Sequence, residues 1–407
     1  MSPLPDSPTD DAPVRVLLLI SNLEFGGAQR QVVELANNLD PARFEVHVGS
    51  LSDYLPLAEG IRLGPGRVHV VQKAFKYDLS VVPRLRSLLR RLRIDIVQSY
   101  LFDADVAARL AGRLAGIAVV GAERNTDYAL KPQQRAGYRL TRGMVDLIIA
   151  NSRAGAAFNQ QLLGYDASFY RVVHNGVDTG RFRPGDGGAL RTALGVAPDE
   201  RVVGMFASFK RQKNHPLAFA AARRVLDRLP RTRFVFVGDM LWAGLHGSAE
   251  YKQRMDALVD ELGIRERCLF LGNRSDVADL YRACDVTLLP SLFEGTPNVV
   301  LESLASGVPV VATDVADNRI LLPEGEVGHV VPLGDAEGLA ARLLDLLADD
   351  DRRQRAGAAA RVWAEREFST AALAEKTGAI YRELVARRRG GRSGLDARPH
   401  AGHTPAP

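Results

Sequence analysis

Apolar positions along the chain come in short unbroken runs, separated by longer stretches in which they recur every three or four residues. In the first half the runs are "VRVLLLIS", "FEVHVGSL", "VHVV", "DIVQSY", "AVVGAER", "LIIANS" and "YRVVHNGV"; residues 28–39, 80–92, 104–115 and 153–163 between them have helical periodicity. Such runs joined by amphipathic helices predict parallel strands covered on both faces, the doubly wound α/β class. This first domain spans residues 12–178. Glycine, proline, asparagine and aspartate in "HNGVDTGRFRPGDGG" break the rhythm, and a linker is predicted through 179–198. The alternation resumes with "VVGMFAS", "FVFVGD", "CLFLG", "DVTLLPS", "PVVATD" and "GHVVPL", with helices over 215–229, 249–262, 275–283, 297–306 and 335–349. A second domain of the same class, 199–369, follows. Residues 388–407 have almost no large apolar side chains and are predicted to be disordered.

Ligands of open parallel sheets sit beyond the carboxyl ends of the strands, so strand-to-helix loops are where chemistry is expected. In "LFEGTPNVVLES", residues 292–303, Thr296 is suited to an N-cap, Pro297 to the first helical position and Gly307 to the left-handed C-terminal cap. Glu294 lies before this helix and Glu302 within it. Either they are a carboxylate favoured by the helix dipole and an exposed helical residue, or they flank an anion site. In the second case the amides of Gly295, Thr296, Asn298 and Val299 face a diphosphate, Glu302 a ribose and Glu294 a sugar. Lys210, Arg211 and Lys213 crowd a second loop, which is either a solvated basic turn or a phosphate contact. Gly26 and Gly27 open a third, as a tight turn or a close backbone approach to ligand.

Composition narrows the field. A net charge of +5 is spread along the chain, with seven Lys against 46 Arg, and nucleic acid is not expected as a partner. Two cysteines predict free thiols, not a disulfide framework, and eight histidines show no metal spacing. Neither a signal-peptide pattern nor an apolar run of membrane-spanning length occurs, and the expected location is cytoplasmic. The basic stretch 83–94 is either a solvated face or a peripheral contact with anionic lipid at the inner face of a membrane. Walker A, G-x-S-x-G and dinucleotide fingerprints are all missing, which removes the main support for P-loop, serine hydrolase and NAD readings.

"EGTPNVVLE" resembles the E-x7-E motif of retaining glycosyltransferases of family 4, and "HNGVDTGRF", "KNH", "CDVTLLPS" and "LASGVPVVATD" are similar to that family's other signatures in order and spacing. The resemblance implies a GT-B architecture, two Rossmann-like domains facing across a cleft, with a final helix over 370–387 crossing back to the first domain. It implies Glu294 and Lys213 at the reacting centre, and donor contacts from Glu302, Gly295, Thr296, Asn298, Val299, Lys210, Arg211 and Ser208. Gly26, Gly27, Tyr100 and Arg124 would form the acceptor and diphosphate side. The implied reaction is transfer of a hexose-type sugar from a UDP- or GDP-type donor to a glycan, lipid-linked or small-molecule hydroxyl, with no metal and no bound cofactor. Two departures stand out: Ser208 occupies a position where the family often has Arg, and Gln98 and Tyr100 stand in a loop where it often has His. A nucleotide-sugar epimerase and a non-catalytic two-lobed sugar-binding protein are the alternatives.

Overall fold

The computed structural model describes residues 12–75, 78–124, 130–238 and 248–396. Seven strands form the first sheet: β1 (Val14–Ile20), β2 (Phe44–Ser50), β3 (Val68–Val70), β4 (Ile96–Tyr100), β5 (Ala118–Glu123), β6 (Leu147–Ala150) and β7 (Tyr170–Val172). Their order is β3-β2-β1-β4-β5-β6-β7, and every pair is parallel. Six more form the second: β8 (Arg201–Phe206), β9 (Thr232–Val237), β10 (Cys268–Phe270), β11 (Val286–Leu289), β12 (Val310–Thr313) and β13 (Gly328–Val331), in the order β10-β9-β8-β11-β12-β13 and again all parallel. Each apolar run of the sequence is one of these strands. Side chains such as Val16, Leu17, Leu18 and Leu19 are fully buried on both faces, because helices cover the sheet from both sides.

The departures are helical. Pro132–Leu140, Gly188–Ala193 within the expected linker, and Asp350–Phe368 have no counterpart in the apolar pattern. The last buries Ala356, Ala360 and Ala364, small residues at four-residue spacing that give little hydropathy contrast. Its Gly357 packs directly on the backbone of Gly307, where a Cβ would lie 2.3 Å from the carbonyl oxygen.

A two-stranded crossing joins the domains. Val177 donates to the Phe368 carbonyl at 2.7 Å and accepts from the Thr370 amide at 3.1 Å. The helix Thr370–Asp396 then returns to the first domain, where Leu373, Ala374, Tyr381 and Val385 join the core beside Phe44 and Ile96. This helix runs past the expected boundary at 387, which corrects the disordered tail for residues 388–396: Arg388 pairs with Asp146 of the first domain at 2.9 Å and ties the helix down beyond that boundary. The remainder of that tail lies outside the described residues.

Candidate functional site

In each sheet the strand order reverses at one place, between β1 and β4 and between β8 and β11. Loops leaving neighbouring strands at such a point diverge to opposite faces and leave a crevice. The two crevices face one another. Between them lies a cavity of about 730 Å³, lined from the first domain by Gly26, Gly27, Arg30 and Arg124 and from the second by Lys213, Glu294, Asn298 and Glu302. A smaller cavity of about 350 Å³, near Phe102 and Leu110, holds none of the motif residues.

The helix after β11 runs Asn298–Ala305, with Pro297 at the N-cap and Gly307 left-handed at φ 72°. Thr296 is therefore not the cap. Its hydroxyl instead donates to the Asn151 carbonyl of the first domain. Asn175, in the segment after β7, donates to the Thr296 carbonyl at 3.1 Å and to the Asn298 side chain at 2.7 Å. Gly295 permits this approach: a Cβ there would lie 2.8 Å from the Asn151 side chain and 3.0 Å from the Arg124 carbonyl. From the first domain, a Cβ on Gly27 would lie 3.4 Å from the side-chain Nδ2 of Asn298. The amides of Asn298 and Val299, the first of the helix, have no intrahelical partner, and both residues line the cavity.

Glu302 is not an exposed helical residue. It is 8% exposed, accepts the Tyr281 hydroxyl at 3.0 Å, and has Arg30 of the first domain 4.0 Å from its other oxygen. Burial raises its pKa above the ordinary carboxylate value, partly offset by Arg30 and the Tyr281 hydrogen bond. On the other side of the helix start, Lys213 Nζ lies 2.5 Å from Glu294, and both side chains are largely buried. Gln212 stitches their loops together, donating to the Phe293 carbonyl at 2.8 Å while its own carbonyl accepts the Leu292 amide at 2.8 Å. Behind Lys213, His215 is buried and stacked on Phe209 at 4.1 Å; burial and the nearby Lys213 charge push its pKa down to about 4, so it is neutral.

Several expected contacts move. Lys210 and Arg211 are exposed and neither lines the cavity, because the turn Arg211–Lys213 turns Lys213 inward and leaves its neighbours outside. Ser208 also lies off the cavity, its backbone packed against Gly238. Tyr100 is fully buried at the end of β4 and forms a floor under Arg124, whose guanidinium lies 4.9 Å from its ring centroid. Gln98 is buried too, and receives the hydroxyl of Tyr381 from the crossing helix. Arg30, Asn175 and Tyr281 were not singled out by sequence. Asn175 stands in a segment legible only as a linker, and nothing in local spacing pairs Tyr281 with Glu302.

Both halves of this arrangement match known families. Residues 25–181 match the family described as Glycosyltransferase Family 4, and residues 188–363 match Glycosyl transferases group 1. The chain belongs to the GT-B glycosyltransferases of family 4. It is 34% identical over 259 residues to the D-inositol 3-phosphate glycosyltransferase of Nocardia farcinica, a match that spans 62% of this chain and about half, 56%, of that protein. It is 26% identical over 343 residues to the UDP-Gal:alpha-D-GlcNAc-diphosphoundecaprenol alpha-1,3-galactosyltransferase of Escherichia coli, covering 80% of this chain and 86% of that one. Among solved structures, Anabaena HepE in complex with UDP is similar in fold, with a TM-score of 0.78 and 23% identity over 91% of this chain and all of that one.

Proposed function

We propose that the protein is a retaining glycosyltransferase that moves a hexose-type sugar from a nucleoside-diphosphate sugar to an acceptor hydroxyl. One observation carries this reading. An open helix N-terminus faces the cavity between a buried carboxylate, Glu302, and a carboxylate–ammonium pair, Glu294 and Lys213. Glu302 is spaced to accept hydrogen bonds from the two ribose hydroxyls, the helix amides to meet the diphosphate, and Glu294 to hold hydroxyls of the transferred sugar. As the bond from anomeric carbon to diphosphate oxygen breaks, negative charge grows on the distal phosphate, where preorganised amides and Lys213 stabilise it most. In this proposal an oxygen of the leaving phosphate takes the proton of the acceptor hydroxyl as that hydroxyl bonds to the same face of the sugar. The charge is met by protein groups, without a metal or bound cofactor.

UDP-sugar complexes of HepE and the names of the curated relatives favour a nucleotide-sugar donor and an acceptor of glycan or lipid-linked type. No helix among the described residues is long and apolar enough to cross a membrane. Contact with an anionic bilayer through the exposed Arg84, Arg90 and Arg91 remains part of the proposal, tested by co-sedimentation with vesicles. The donor is tested by thermal unfolding with UDP-, GDP- and ADP-sugars. A ligand present at a hundred times its Kd stabilises the fold by about 2.7 kcal/mol, so one base class should raise Tm by several degrees. Absence of any shift across the set contradicts the proposal.

A further inference from the structure

Four cationic side chains line the cleft cavity: Arg30, Arg124, Lys213 and Arg274. Three have carboxylates. Lys213 pairs with Glu294 at 2.5 Å, Arg274 with Asp276 at 2.5 Å, and Arg30 faces Glu302 at 4.0 Å. Arg124 differs: its partners among the described residues are neutral, the Asn175 side-chain oxygen at 3.3 Å and the face of Tyr100. Its Nε is buried without a hydrogen-bond partner among the described residues. A guanidinium held on an aromatic floor, with no carboxylate partner among the described residues, is suited to receive an anion.

The position of Arg124 decides which anion. It follows β5, and its carbonyl is the atom that Gly295 packs against, on the Glu294 side of the helix start. Through Asn175 the guanidinium is two hydrogen bonds from the Thr296 carbonyl and the Asn298 side chain. Glu302 lies at the far side of the same start, where the ribose is proposed. Lys210, Arg211 and Ser208 leave Lys213 as the cation that their loop presents to the cavity. We infer that Arg124, from the opposite domain, is the second cation on the distal phosphate of the donor. This rests on the reading of the cleft as a nucleotide-sugar site, and it makes the phosphate site complete only when the two domains are closed.

The test uses the full chain and titrates UDP, GDP and ADP, with the matching nucleoside monophosphate, by calorimetry. Arg124→Gln keeps a polar side chain beside Asn175 but removes the charge. The inference expects it to weaken the nucleoside diphosphate by roughly ten- to a hundredfold and the monophosphate by less than about threefold, with Arg124→Lys intermediate. A merely structural role would weaken both ligands equally and overturns the inference. Unchanged diphosphate affinity with a raised KM for acceptor also overturns it, and assigns the guanidinium to an anionic acceptor instead. If the wild type binds none of the three diphosphates, the underlying reading of the cleft fails and this inference falls with it.

Discussion

Glu302 sits where burial and function pull in opposite directions. Its pKa is raised, so the charged form is disfavoured in the folded protein: its contribution to stability is greatest at low pH and is lost as pH rises through the folded value. Glu302→Gln should therefore raise the Tm of the unliganded protein at neutral pH while weakening the donor, since an amide accepts at one atom only. Wild-type donor affinity should fall on acidification from above the usual carboxylate range, and the Gln variant should be flat there; nucleotide sugars, which have no phosphate titrating in that window, are the ligands to use. A flat wild-type profile would remove Glu302 from the ribose. Lys213→Ala has a different signature. It leaves Glu294 largely buried without its ammonium and removes a stabiliser of the leaving group, so kcat should drop by about 10²–10³. Glu294 and Glu302 were singled out in the sequence because a helix start between carboxylates is a local pattern, and Lys213 because it stands in a basic strand-to-helix loop. Thr296 was misread as the cap because the facing domain takes its hydroxyl, whereas Tyr100 turns into the core of its own domain and Ser208 packs on Gly238 of its own; local spacing describes neither kind of contact.

Among elements, the strands were read most completely, since two-sided burial writes each as one apolar run. Helices packed through small residues escaped, and Asp350–Phe368 shows why: a buried alanine stripe with Gly357 against Gly307 is tight packing without hydrophobic contrast. A contact between elements of different domains escaped for another reason. Asp317, in the loop after β12, accepts the amides of Arg153 and Ala154 at 2.7 and 3.0 Å and His174 at 2.8 Å, capping the helix Arg153–Leu163 from the other domain. Burial alone would raise its pKa, but these hydrogen bonds outweigh it and hold the carboxyl below its ordinary value. Its stabilising effect is thus present above the unfolded-state pKa and lost as pH falls through the lowered folded one. Asp317→Ala should cost about 1–2 kcal/mol in urea unfolding at neutral pH. A change within error would show that Ser152, whose hydroxyl accepts the Gly155 amide at 3.0 Å, caps this helix by itself.

At the scale of the molecule, two similar domains are held across a cleft by a short crossing at Val177 and Ser369, by the returning helix, and by polar contacts at the cleft floor. The domain count and the repeated α/β class followed from alternation alone. The register of one domain on the other did not, and it decides that Arg30 meets Glu302 and that Arg124 stands beside Gly295. The central claim is that this interface binds a nucleotide sugar with Glu302 at the ribose. Its most direct test is calorimetric titration of the nucleotide sugar selected by thermal unfolding into wild type and Glu302→Ala, with the free nucleobase as a control. The account predicts saturable one-to-one binding by the wild type and a loss of roughly tenfold or more in the variant, with both retaining cooperative unfolding. Equal affinity in the two proteins would contradict it.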